Sequence, residues 1–204
     1  MKTAGSHGFY PVVDDVRWVR RFLPLGVRTI QLRIKGQPEA EVRRQIREAL
    51  AIAADHGDCQ MIVNDHWRAV IREGAAWLHL GQEDLAGADR AAIRAAGIRL
   101  GVSTHSTEEL ANALDAQPDY LALGPIYETT LKKMPWSPQG LERIGEWKAR
   151  FPCPLVAIGG ITLERAPAVL AAGADSVAVV SDVLRAPDPD GRVRAWLDLF
   201  GERA

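Results

Sequence analysis

One pattern recurs often enough along this chain to limit the folds open to it: a short apolar run, a stretch with helical spacing, a glycine, then the next apolar run. Gly26, Gly74, Gly97 and Gly173 all stand where a helix end takes up a left-handed backbone before a strand begins. The apolar runs fall at 9–13, 27–35, 60–63, 76–80, 98–102, 120–123, 154–158 and 176–180. Between them, helical stretches are expected from Val16 (behind Asp14-Asp15 as a cap region) and at 38–56, 68–73, 89–96, 107–116, 141–150 and 163–172, with a closing helix at 193–200. Eight strands alternating with helices imply parallel pairing and right-handed crossovers. Eight such units close naturally into an α/β (β/α)8 TIM barrel, read here as one domain over residues 1–204. A doubly wound open sheet is the competing architecture, but its first turn, Val13-Asp14-Asp15, has none of the glycines of a dinucleotide fingerprint.

Composition narrows the function classes. With 25 Lys and Arg against 26 Asp and Glu, the net charge is −1, so no global field favours nucleic acid or an anionic membrane. Any handling of anions must be local. No run approaches the roughly 18 apolar residues of a spanning helix, and residues 1–8 lack the order of a signal peptide, so a cytoplasmic protein is expected. Cys59 and Cys153 have no Cys or His partners at metal-ligand spacing and read as structural thiols in a reducing compartment.

In a barrel of this kind the chemistry collects at the C-terminal ends of the strands. Strand two ends in Gln31-Leu32-Arg33-Ile34-Lys35, where alternation puts Gln31, Arg33 and Lys35 on one face and Leu32 and Ile34 on the other. Taken alone, that face could be the wet side of a half-exposed sheet. The other strand ends change the reading. They carry Asn64-Asp65, His79-Leu80-Gly81-Gln82-Glu83-Asp84, Ser103-Thr104-His105, Gly124-Pro125 with the long segment through Lys132-Lys133, Gly159-Gly160 and Val180-Ser181.

Asp65 and Asp84, from adjacent strands and with Asn64 and Gln82 beside them, offer hard oxygen ligands suited to Mg²⁺ rather than zinc. Each could instead cap the helix that follows. Arg33, Lys35 and Lys132 favour the metal, because Mg²⁺ is usually held by one or two carboxylates plus the phosphates of a substrate. Gly159-Gly160 and Val180-Ser181 lie after strands seven and eight, where barrels recurrently bind phosphate. The site is therefore expected to take two phosphorylated ligands, one of them metal-bound. No Ser-His-Asp or Cys-His order is present; His79 reads as a packed, hydrogen-bonded residue, and His105 as either a base or a structural group.

These strand ends, in this order from about Tyr10 to Asp188, resemble the thiamine phosphate synthase family. The resemblance implies a (β/α)8 transferase that joins hydroxymethylpyrimidine pyrophosphate to thiazole phosphate and releases pyrophosphate. It implies that Gln31, Arg33, Lys35 and Asn64 bind the pyrimidine pyrophosphate and that Ser103 and Lys132 contact it too. It further implies that Asp65 and Asp84 hold Mg²⁺, and that Thr129, Gly160, Val180 and Ser181 receive the thiazole phosphate. Arg33, Lys35, Ser103 and Lys132 are the expected catalytic set. The family reaction is dissociative: pyrophosphate leaves first and the thiazole nitrogen captures the pyrimidinyl-methyl cation, so no protein nucleophile is required.

The chain departs from the family at one point. The loop after strand six usually reads Thr-any-Thr-Lys, and here it is Thr129-Thr130-Leu131-Lys132. Leu131 cannot donate a hydrogen bond, and one lost hydroxyl contact to a charged phosphate costs about 1.5–3 kcal/mol if uncompensated. Tyr127-Glu128-Thr129 with Lys132-Lys133 also resembles the related thiazole tautomerase, an isomerase with a histidine where His105 stands, but that enzyme does not need Asp65 and Asp84. The segment from Glu128 to Gln139 is long enough to close over the site, with Trp136 as a lid residue or a packing anchor. The outer helices leave room for a homo-oligomer.

Overall fold

The computed structural model of the protein describes residues 8–57, 59–129 and 136–201. Its eight strands form one closed parallel barrel in sequence order. They are β1 (Phe9–Val13), β2 (Thr29–Leu32), β3 (Gln60–Asn64), β4 (Trp77–Leu80), β5 (Arg99–Thr104), β6 (Tyr120–Leu123), β7 (Leu155–Ile158) and β8 (Ser176–Val179). The helices are α1 (Val16–Phe22), α2 (Glu39–Ala54), α3 (Trp67–Glu73), α4 (Gln82–Gly87), α5 (Arg90–Ala95), α6 (Thr107–Asp115), α7 (Glu142–Arg150), α8 (Ala166–Ala171), α9 (Ser181–Leu184) and α10 (Pro189–Leu199). The expected barrel is present, and the four punctuating glycines all have positive φ, from 70° at Gly97 to 106° at Gly173.

The differences are local. β2 ends at Leu32 rather than Lys35, although Arg33 N–H still donates to Val13 O at 2.7 Å. β5 runs two residues further than expected, so Ser103 and Thr104 are strand residues. Two short helices, α4 and α9, went unread because each carries too few apolar positions to show a 3.6-residue period. α8 begins at Ala166 rather than 163, with Pro167 in its first turn, and α10 begins four residues early behind Asp188, which caps Gly191 N–H at 3.0 Å.

Strand alternation divides the interior into two cores. The outward-facing residues, such as Leu32, Leu78 and Val177, pack under the helices in the larger one. The seam between β1 and β8 is covered by α10, where Trp196 stacks on Phe9 at 5.1 Å. Inside the barrel a smaller cluster joins Tyr10, Ile62, Trp77 and Tyr120 to small residues such as Ala122 and Ala178. Large and small side chains share the lumen, so it is filled rather than open.

Candidate active site

The upper lumen turns polar one residue at a time. Gln31, Asn64 and His79 are all buried inward-facing residues on β2, β3 and β4, and Asn64 lies level with His79 in the strand register. His79 is packed and hydrogen-bonded as expected: Nδ1 meets Tyr120 Oη at 2.8 Å, and Nε2 meets Ser103 Oγ at 2.8 Å. Burial pushes its pKa down to about 4, with the nearby Asp65 charge opposing the shift, so the ring is neutral near pH 7. Tyr120 also shares hydrogen bonds with Tyr10 and Gln31. Sequence reasoning passed over Tyr120 as an ordinary strand residue; its signal was Gly101, an inward-facing position left without a side chain.

Above this layer the chain leaves the barrel and its charged groups meet. Arg33 and Lys35 are exposed while Leu32 and Ile34 are buried, so the alternation read from the sequence persists past the end of β2. The Lys35 ammonium pairs with the Asp65 carboxylate. Asp65 has a positive φ of 66°, which a non-glycine residue rarely adopts, and its N–H donates to His79 O at 2.9 Å. Neither Asp65 nor Asp84 caps a helix: His66 and Gly81 occupy the cap positions of α3 and α4, without side-chain capping bonds. Asp84 instead hydrogen-bonds Asp65, and its carboxyl is pushed up, first by partial burial and then by the Asp65 charge, with Lys35 opposing.

Two carboxylates this close repel unless a proton or cation lies between them, and such a pair beside open solvent suits a divalent ion completed by a ligand's phosphates. Among the described residues no group of three or more His, Cys, Asp or Glu gathers at one point. Gln82 departs from expectation. Its amide is turned away, with Nε2 donating to Ser103 O at 2.7 Å and to Glu109 O at 3.3 Å, where it ties α4 to β5 and α6.

At the end of β5, Glu109 Oε2 accepts from both the main-chain N–H and the Nδ1 of His105, each at 2.7 Å. An ionised carboxylate can only accept, so Nδ1 carries the proton. Trp136 stacks on the same ring at 6.1 Å while remaining 40% exposed. Both thiols are free, and burial pushes their pKa values up, to about 12 at Cys59, which fits structural roles.

β7 and β8 stand diametrically opposite β3 and β4 in the barrel, so Gly159-Gly160 and Val180-Ser181 face the carboxylates across the mouth. Gly159 and Gly160 have φ values of 96° and 66°, and a Cβ on Gly160 would lie 2.4 Å from Glu128 O. This turn therefore needs glycine both for conformation and for space. Thr129, partly buried, follows at once in the β6 loop; Thr130, Leu131 and Lys132 lie outside the described residues.

The sequence matches the family model described as "Thiamine monophosphate synthase" over residues 9–183. It is 58% identical over 190 residues to the thiamine-phosphate synthase of Rhizobium etli, covering 93% of each chain. The chain belongs to the thiamine monophosphate synthase family. It is thus a transferase of thiamine biosynthesis. The thiamine-phosphate synthase of Cronobacter sakazakii is 50% identical over 195 residues, with 95% of this chain and 92% of the relative covered. Among solved structures, thiamine phosphate pyrophosphorylase from Pyrococcus furiosus superposes with a TM-score of 0.84 at 28% identity over 96% of both chains. No helix among the described residues of this family member is long and apolar enough to cross a membrane.

Proposed function

We propose that the protein condenses hydroxymethylpyrimidine pyrophosphate with thiazole phosphate to give thiamine phosphate and pyrophosphate. One observation carries this reading: the Asp65–Asp84 pair with Lys35 lies across the mouth from the glycine turn at Gly159-Gly160. That arrangement suits two phosphorylated ligands of which only one is metal-bound.

In the reaction the bond between the pyrimidine's methylene carbon and the pyrophosphate oxygen breaks, and its electron pair leaves with pyrophosphate. The lone pair of the thiazole nitrogen then forms the new carbon–nitrogen bond. Arg33 and Lys35 face the growing negative charge of the leaving group, where fixed cations favour the transition state over the ground state, and Lys132 is assigned the same role by its charge. Asp65 and Asp84 would hold Mg²⁺, which would supply further positive charge to the leaving pyrophosphate. Gln31, Asn64 and Ser103 orient the pyrimidine above the filled lumen, and Thr129, Gly160, Val180 and Ser181 hold the thiazole phosphate so that nitrogen and carbon meet in line. We assign the site to residues of a single barrel domain acting on small molecules; cytoplasmic location and homo-oligomer formation complete the reading.

The test is product formation from the two substrates with Mg²⁺, against an EDTA control. Metal-dependent thiamine phosphate supports the proposal. Folded protein that yields none at saturating substrates favours a second reading, an isomerase that uses His105, to which the Glu109–His105 hydrogen bond lends an oriented imidazole. In that case His105→Ala abolishes isomerisation.

A further inference from the structure

Resting on the proposal that Gly160, Val180 and Ser181 receive the thiazole phosphate, we infer that Arg192 of α10 is a positioning residue that fixes the turns after β7 and β8 relative to one another through Glu164 and Asp182. Its guanidinium makes a fork with Asp182, Nε to Oδ2 at 2.9 Å and Nη2 to Oδ1 at 2.8 Å. The same Nη2 reaches the two oxygens of Glu164 at 3.0 and 3.2 Å. Asp182 immediately follows Ser181, and its side chain is only 9% exposed. It takes a third hydrogen bond from Trp196 Nε1 at 2.7 Å, so two residues of α10 hold it from one side.

The link continues from Glu164 to its neighbour. Arg165 Nη1 donates to Gly160 O at 2.7 Å, and its guanidinium lies 4.6 Å over the Tyr127 ring. Because the peptide is planar and trans, a fixed Gly160 carbonyl also fixes the Ile161 N–H in the opposite direction. Tyr127 N–H donates to Gly159 O at 3.0 Å, which brings the β6 loop onto the same turn. Loops after three consecutive strands are thus fastened to the last helix, and Arg192 is the side chain that joins the β7 and β8 portions.

Charge separates positioning from direct binding. Arg192 faces two carboxylates that neutralise its charge, so it offers a phosphate no net positive charge of its own. Glu164 stays ionised throughout the working range, its carboxyl held down to about 2 by hydrogen bonds from Thr162 and its own backbone as well as by Arg192. The contribution of Arg192 to the reaction is therefore geometric, and it falls chiefly on the thiazole phosphate, since the pyrimidine pyrophosphate groups other than Lys132 lie on β2 to β5.

The experiment compares wild type with Arg192→Ala, Arg192→Lys and Asp182→Asn, reading kcat, KM for each substrate, calorimetric affinity for thiazole phosphate and melting temperature. Misplacement of a phosphate-holding turn should raise KM and Kd for thiazole phosphate about tenfold or more, with KM for pyrimidine pyrophosphate unchanged. Lysine, a point charge without the fork, should recover only part of the loss. A folded Arg192→Ala variant with unaltered thiazole phosphate affinity, or with both substrates weakened equally, overturns the inference. Should that variant not fold, Glu164→Gln and Trp196→Phe each remove one link and must show the same selective weakening. Wild type that binds thiazole phosphate without turning over refutes the proposed reaction but leaves this inference to be judged on Kd; wild type that does not bind it overturns both.

Discussion

Gly101 yields its side-chain space to Tyr120: a Cβ on the glycine would lie 2.0 Å from Tyr120 Cζ, inside the barrel and level with His79. The phenol fills the gap and places its hydroxyl against the imidazole that holds Ser103. A residue with no side chain thereby governs where a proposed substrate contact stands.

Gly101→Ala is therefore expected to be costly. The ring cannot retreat without disturbing the lumen, and overpacking of this kind destabilises by about 1–3 kcal/mol or more. Denaturant unfolding should show the loss at constant m-value, and kcat should fall because Ser103 moves with His79. A variant as stable and active as wild type would show that Tyr120 has another place to go.

Stability should fall on acidification in a way that traces to His79. Its folded pKa, about 4, lies below the ordinary value of 6.5, so its stabilising contribution is fully present above pH 6.5 and is lost as pH falls through 4. The full difference is on the order of 3 kcal/mol. In unfolding experiments from pH 7 to pH 4, His79→Gln should flatten the slope; an unchanged slope would place the acid sensitivity elsewhere.

Asp84→Ala should remove most Mg²⁺-dependent turnover while leaving the melting temperature within a few degrees of wild type, since Asp84 is solvent-exposed and caps no helix. Full activity would sink the metal assignment. Because the Asp84 carboxyl is raised in the free protein and a metal needs it ionised, Mg²⁺ affinity should weaken as pH falls, which calorimetry across a pH series detects.

Leu131→Thr restores a hydroxyl to the loop after β6. It should lower KM for thiazole phosphate, on the order of tenfold for one charge-assisted hydrogen bond. An unchanged or higher KM would mean that the contact is supplied from elsewhere.

The sequence by itself determined the barrel, because apolar period and glycine punctuation are local signals repeated at every unit. It also determined which strand ends are polar, and the alternation of Gln31, Arg33 and Lys35 against Leu32 and Ile34 held beyond the strand itself. Only the tertiary structure decided what those groups touch. Gln82 reads as an oxygen ligand beside Asp84, yet a six-residue helix turns its amide onto Ser103. Tyr120 reads as an ordinary strand residue and Asp182 carries no signal in the sequence, yet the first reaches across the lumen to His79 and the second is held by Arg192 and Trp196 of the last helix. The physical reason is range: backbone conformation follows from neighbours a few residues away, whereas the partners of these three side chains lie 10 to 41 positions distant along the chain and are fixed only when the barrel closes.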